Sequence, residues 1–67
     1  MLSARNQFKG KVKAIKLGVV MAEVVVSVGD LEFVSLISVH SVESLGLKVG
    51  DSVTVVVKAT EVMVAKP

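Results

Sequence analysis

Val19-Val20-Met21-Ala22-Glu23-Val24-Val25-Val26-Ser27-Val28 is apolar except at Glu23 and Ser27. A β-branched run of this length, apolar on both faces, predicts a strand covered on both sides: one face suits the interior of the domain, the other a neighbouring chain. Gly29-Asp30 follows as a short hairpin signal, and residues 31–39 return as a third strand. Leu31, Phe33, Ser35, Ile37 and Val39 fall on one of its faces, and Glu32, Val34, Leu36 and Ser38 on the other. Upstream, Phe8, Gly10, Val12 and Ala14 alternate with Lys9, Lys11 and Lys13, the period of a half-buried first strand. Lys16-Leu17-Gly18 supplies the turn between the first two strands, with Gly18 free to take a positive φ.

Beyond the third strand the pattern changes. Ser41 is placed to cap a short helix, Glu43 favours its positive end, and Gly46 can close it in the left-handed conformation. Lys48-Val49-Gly50-Asp51 makes a turn, Val53, Val55 and Val57 then alternate with Thr54 and Val56, and residues 62–65 predict a last strand. Five short strands with one short helix between the third and fourth is the order of an all-β, OB-fold-like five-stranded barrel. Residues 1–67 read as one domain with no internal repeat or low-complexity tract, and only Lys66-Pro67 reads as a frayed tail.

A chain of 67 residues buries only roughly 60% of the surface of its unfolded form, so its core needs a supplement. With no Cys and one His, neither disulfides nor a structural zinc site supplies it. Association remains. A hydrophobic content of 52% and a mean hydropathy of +0.74 exceed what one small barrel hides, so further apolar faces are expected to meet other protomers. Lys16, Glu23, Asp30 and Glu32 interrupt every candidate for a spanning segment, which needs about 20 apolar residues. Arg5, Lys9, Lys11, Lys13 and Lys16 leave no room for the apolar region of a signal peptide, and a cytoplasmic location is the expectation. The net charge is only +2, but five of the eight cations lie within residues 5–16 and can draw in anions. For Lys9, Lys11 and Lys13 a solvated strand face is the simpler reading.

Ser3-Ala4-Arg5-Asn6-Gln7 concentrates a hydroxyl, a guanidinium and two side-chain amides just before the first strand. These groups are mostly hydrogen-bond donors, and a guanidinium fork suits a compact oxyanion. Asn6 and Gln7 can add NH2 donors or brace the others. Lys58-Ala59-Thr60-Glu61-Val62-Met63 stands at the other end of the chain, with Ser41-Val42-Glu43-Ser44-Leu45-Gly46-Leu47-Lys48-Val49-Gly50-Asp51 between. With the Gly18-Val19-Val20 turn into Ala22-Glu23-Val24, these blocks resemble the molbindins, the small molybdate-binding Mop proteins built from one TOBE domain. The resemblance covers nearly the whole chain.

It implies the barrel fold, an intimate dimer in which protomers share strands or strand edges, and a hexamer built from such dimers. It also implies molybdate, or tungstate in its place, as the bound ligand, with no organic cofactor. The principal site implied lies at Ser3, Ala4, Arg5, Asn6, Lys58, Ala59 and Thr60, contributed by neighbouring protomers. Arg5 would supply parallel N–H bonds, Lys58 a point charge, and Ser3 and Thr60 hydroxyls. Many relatives carry Ser at the position of Ala59, so a contact there must use the backbone N–H. A second class of anion pocket is implied around the assembly axis, with Val19, Val20 and Ser38 as its candidates here. Each main residue has a plainer reading: Arg5 paired with Glu61 at an interface, Lys58 guarding an edge strand, Thr60 serving as a good strand residue.

An enzyme is not expected, since there is no Cys, no Ser-His-Asp order and no pair of acids on one face. His40 reads as a residue filling a turn before Ser41. OB barrels often bind single-stranded nucleic acid on aromatic platforms, but Phe8 and Phe33 are the only aromatics, and the alternation turns Phe8 inward. The resulting expectation is an oligomeric protein that stores or buffers molybdate in the cytoplasm, without catalysis. Absence of a transporter ATPase or helix-turn-helix favours storage over the alternative, a ligand-sensing module acting through a protein partner. Single-strand binding ranks last.

Overall fold

A computed structural model of the chain describes residues 4–67, so Ser3 lies outside the described residues. The elements are β1 (Asn6–Leu17), β2 (Met21–Val28), β3 (Leu31–Ser38), α1 (Val39–Leu45) and β4 (Ser52–Val57), followed by a 3-10 turn over Ala59–Glu61. The strands form one antiparallel sheet in the order β3-β2-β1-β4. The long β1 is shared: its second half pairs with β2 and its first half with β4. The crossover lies at Val12, whose N–H donates to the Asp51 carbonyl at 2.9 Å while its own carbonyl accepts from Gly50 N–H at 2.8 Å.

Of the two faces of β2 only one is covered within the chain, Met21 and Glu23 on the other being exposed and Val25 half-buried. Ala22, Val24 and Val26 are buried and form the core with Val12 of β1 and Val42 of α1. The simple alternation of β1 fails after Val12. A bulge shifts the register there, so that Val12 faces Val26 but Ala14 faces Val25 and Ile15 faces Val24. Ala14 is therefore exposed, contrary to the sequence pattern, and Ile15 packs against the core in its place. Lys13, the extra residue, forms an ion pair with Glu32.

Gly18 does not adopt a positive φ. Its N–H instead donates to the Met21 carbonyl at 2.9 Å, and a β-carbon would approach that oxygen to 2.6 Å, so the residue is small for want of room. Val19 and Val20 belong to this exposed turn rather than to β2. The helix begins earlier than expected, because Ser38 rather than Ser41 is the cap: its Oγ accepts from Ser41 N–H at 3.0 Å. Glu43 consequently falls outside the first turn. Gly46 closes α1 at φ 62°, as the sequence predicts.

The predicted fifth strand does not form within the chain. Residues 62–67 leave the 3-10 turn unpaired, with Val62, Met63 and Val64 exposed to 51%, 93% and 93%. The sheet has four strands and remains open between its β3 and β4 edges, where a groove is floored by Val12, Val24 and Val26 and walled by Ile37, Leu47 and Val53. The physical reason is an excess of apolar strand over available partners. The chain exposes 5611 Å², whereas about 4,000 Å² is typical of a compact monomer of 7.0 kDa.

Candidate functional site

The β1–β4 ladder determines which ends of the chain meet. Its last pair is Asn6 with Val57, so Arg5 and Lys58 stand one residue beyond it on adjacent strands. Ala4, Arg5 and Asn6 are thereby brought to the same end of the sheet as Lys58, Ala59 and Thr60. Within the chain the two blocks therefore lie side by side at this end of the sheet. Arg5, Lys58, Ala59 and Thr60 are exposed, and Ala4 and Asn6 are half-buried.

Local geometry keeps this end ordered. Lys58 precedes the 3-10 turn in an extended conformation, and its carbonyl accepts from Glu61 N–H at 2.9 Å. The other side is tied by Gln7, whose Nε2 donates to the Ala4 carbonyl at 2.6 Å and whose backbone N–H donates to the Arg5 carbonyl at 3.2 Å. Among the described residues the one ion pair joins Lys13 to Glu32, so Arg5 is not paired with Glu61 within the chain. The cluster combines two cations, a hydroxyl and a carboxamide in solvent. That donor set suits an anion and repels a metal cation. No group of three or more His, Asp or Glu gathers among the described residues in a way that would hold a metal ion.

The second set of candidates lies at the far end of β1. Ser38 pairs with Met21 in the β2–β3 ladder, and Val39 N–H donates to the Val20 carbonyl at 2.8 Å, so Val20 and Ser38 are neighbours. The Ser38 hydroxyl is already engaged, accepting from Ser41 N–H and lying 2.8 Å from Ser41 Oγ. His40 is on the exposed side of α1, its Nε2 3.4 Å from Ser44 Oγ, rather than filling a turn. Phe8 and Phe33 stack on each other with centroids 5.2 Å apart. Phe8 keeps 37% of its surface exposed at the rim, less inward than the alternation implied, but one face of its ring is occupied and unavailable as a base-stacking platform.

Comparison with known proteins bears on this arrangement. The family described as TOBE domain matches residues 2–64. The chain belongs to that family. Among curated TOBE-type relatives, molybdenum-pterin-binding protein 2 of Clostridium pasteurianum is 55% identical over 64 residues, covering 94% of each chain. Among solved structures, a molybdate-binding protein from Sporomusa ovata superposes with a TM-score of 0.94 at 44% identity, covering 98% of both chains. The cytoplasmic molybdate-binding protein ModG, solved with molybdate bound, matches with a TM-score of 0.83 at 43% identity over 88% of this chain and 43% of its own. The all-β architecture with one short helix is therefore the architecture of the molybdate-binding members of the TOBE family. Sequence reasoning left Gln7 either as an added NH2 donor or as a brace, and its specific bonds to Ala4 and Arg5 carry no pattern that spacing alone would reveal.

Proposed function

We propose that this protein binds molybdate, with tungstate as an alternative ligand, and holds it as a cytoplasmic store or buffer without catalysing a reaction on it. The observation that carries the proposal is the end of the β1–β4 ladder, where the Arg5 and Lys58 blocks converge in a chain whose relatives are named for binding molybdenum or molybdate. Molybdate is a tetrahedral dianion already surrounded by oxygen, so a protein grips it with donors and needs no direct bond to the metal. Arg5 supplies a fork of parallel N–H groups, Lys58 a point charge, Ser3 and Thr60 hydroxyls, and Ala4, Asn6 and Ala59 backbone or amide donors. Val19, Val20 and Ser38 are the candidates for a weaker second anion pocket.

The working form is a homo-oligomer, a hexamer assembled from dimers. The open groove between β3 and β4 lacks one strand, and the apolar residues 62–65 lack a partner. A second copy inserting its residues 62–65 into this groove satisfies both and hides surface on the order of a standard interface. The inserted strand would follow directly on the Ala59–Glu61 turn, so assembly and ligand site are adjacent.

Titration calorimetry with molybdate, tungstate, sulfate and a single-stranded oligonucleotide tests the reading. Heat with the first two, little with sulfate and none with the oligonucleotide is expected. Arg5→Ala should lose most binding while retaining the fold, since a charge-assisted bond is worth roughly 1.5–3 kcal/mol, tenfold or more in affinity. Arg5→Lys should restore only part of it. Tight oligonucleotide binding without oxyanion heat, or parental affinity in Arg5→Ala, would overturn the assignment.

A further inference from the structure

Gln7 ties the donor-bearing arm to the sheet from one position. Its backbone is fixed by pairing with Val56 in the β1–β4 ladder. From there its Nε2 reaches the Ala4 carbonyl at 2.6 Å and its N–H reaches the Arg5 carbonyl at 3.2 Å. The chain is thus bent at Asn6 and held on both residues before the bend. A carbonyl only accepts, so the amide nitrogen of Gln7 must be the atom facing Ala4. Gln7 is exposed, and neither bond closes a core contact. Its remaining carboxamide oxygen is an acceptor, which repels an oxyanion. The side chain is therefore suited to hold the arm and ill suited to touch the ligand through that oxygen.

We infer that Gln7 is a positioning residue for the oxyanion site, fixing Ala4 and Arg5 in their ligand-ready arrangement through the Ala4 carbonyl. This rests on the molybdate reading of the site given above. A guanidinium fork rewards orientation because its two parallel bonds form only when its plane meets the oxyanion squarely. An arm left loose would have to be ordered by the ligand itself, which weakens binding and blunts discrimination between anions of different size.

The test uses the intact assembled protein. Gln7→Met keeps the length and neutrality of the side chain and removes its donor. Calorimetric titrations with molybdate and sulfate are compared for the parent, Gln7→Met, Arg5→Lys and the double variant, with Arg5→Ala as the control on the site. Gln7→Met is expected to weaken molybdate about tenfold, to narrow the molybdate-to-sulfate ratio, and to leave the ligand-free melting temperature unchanged. Its penalty should shrink in the Arg5→Lys background, because a point charge needs little orientation. NMR order parameters of the Ala4 and Arg5 amides should fall in ligand-free Gln7→Met. Parental affinity in Gln7→Met, an undiminished penalty in the Arg5→Lys background, or unchanged order parameters would each overturn the inference. Parental affinity in Arg5→Ala would instead remove the site, and the inference with it.

Discussion

Gly10 lies on β1 where the strand leaves β2 for β4, opposite Val53 and just before the Lys11–Ser27 pair. A β-carbon at Gly10 would overlap the Ser27 carbonyl oxygen and stand 2.8 Å from a Val28 methyl group. The first obstacle is backbone, which cannot rotate away as a flexible side chain would. Gly10→Ala is therefore expected to cost about 1–3 kcal/mol or more, in the range of overpacked interiors. A urea titration should show the loss as a lowered midpoint with an unchanged slope. Parental stability would mean that β1 and β2 can separate at this point without cost.

At the scale of elements, α1 is anchored by the Ser38 hydroxyl on Ser41 N–H and closed by Gly46 at φ 62°. Ser38→Ala should lower stability by about 1 kcal/mol, the usual cost of losing such a cap, again read from the urea midpoint. A helix of seven residues has no stability of its own, so packing of Val42 against the core must supply the rest. The boundaries of β3 and α1 show what a sequence can and cannot express. Alternation marked the start of β3 at Leu31 but carried the strand one residue too far, into Val39, which opens α1, whereas Gly46 marked the helix end, a signal that depends on nearest neighbours. The choice between Ser38 and Ser41 as cap was not legible, since either serine satisfies the local chemistry. The bulge at Val12 was hidden for the same reason: it arises where β1 changes partners, and Lys13-Ala14-Ile15 continues an ordinary strand pattern. Both halves of the candidate site were legible as donor-rich blocks, but their meeting depends on the β1–β4 register, a contact between distant parts of the chain.

For the molecule as a whole, the proposed reading of the unpaired residues 62–65 and the open groove makes assembly the controlling variable. Val64→Asp places a charge where the proposed shared strand would be buried, and sedimentation should shift towards the monomer while the sheet signal in circular dichroism persists. An undisturbed assembly would exclude this segment from the interface. If the ligand site adjoins the interface, molybdate must stabilise the assembled form, by about 2.7 kcal/mol per site at a hundredfold excess over its dissociation constant. Thermal melts and a dilution series should show a raised melting temperature and suppressed dissociation, with sulfate weaker than molybdate. Equal effects of the two anions would reduce the site to a general basic patch. The β1–β4 ladder also sets a timetable. During synthesis the meander of β1, β2 and β3 can pair as soon as it emerges, whereas Asn6 must wait for Val57. The arm carrying Arg5 thus emerges ahead of β1, yet it meets its counterpart only once all of β4 has been made. On the proposed reading, a chain still lacking β4 carries only half of an anion site.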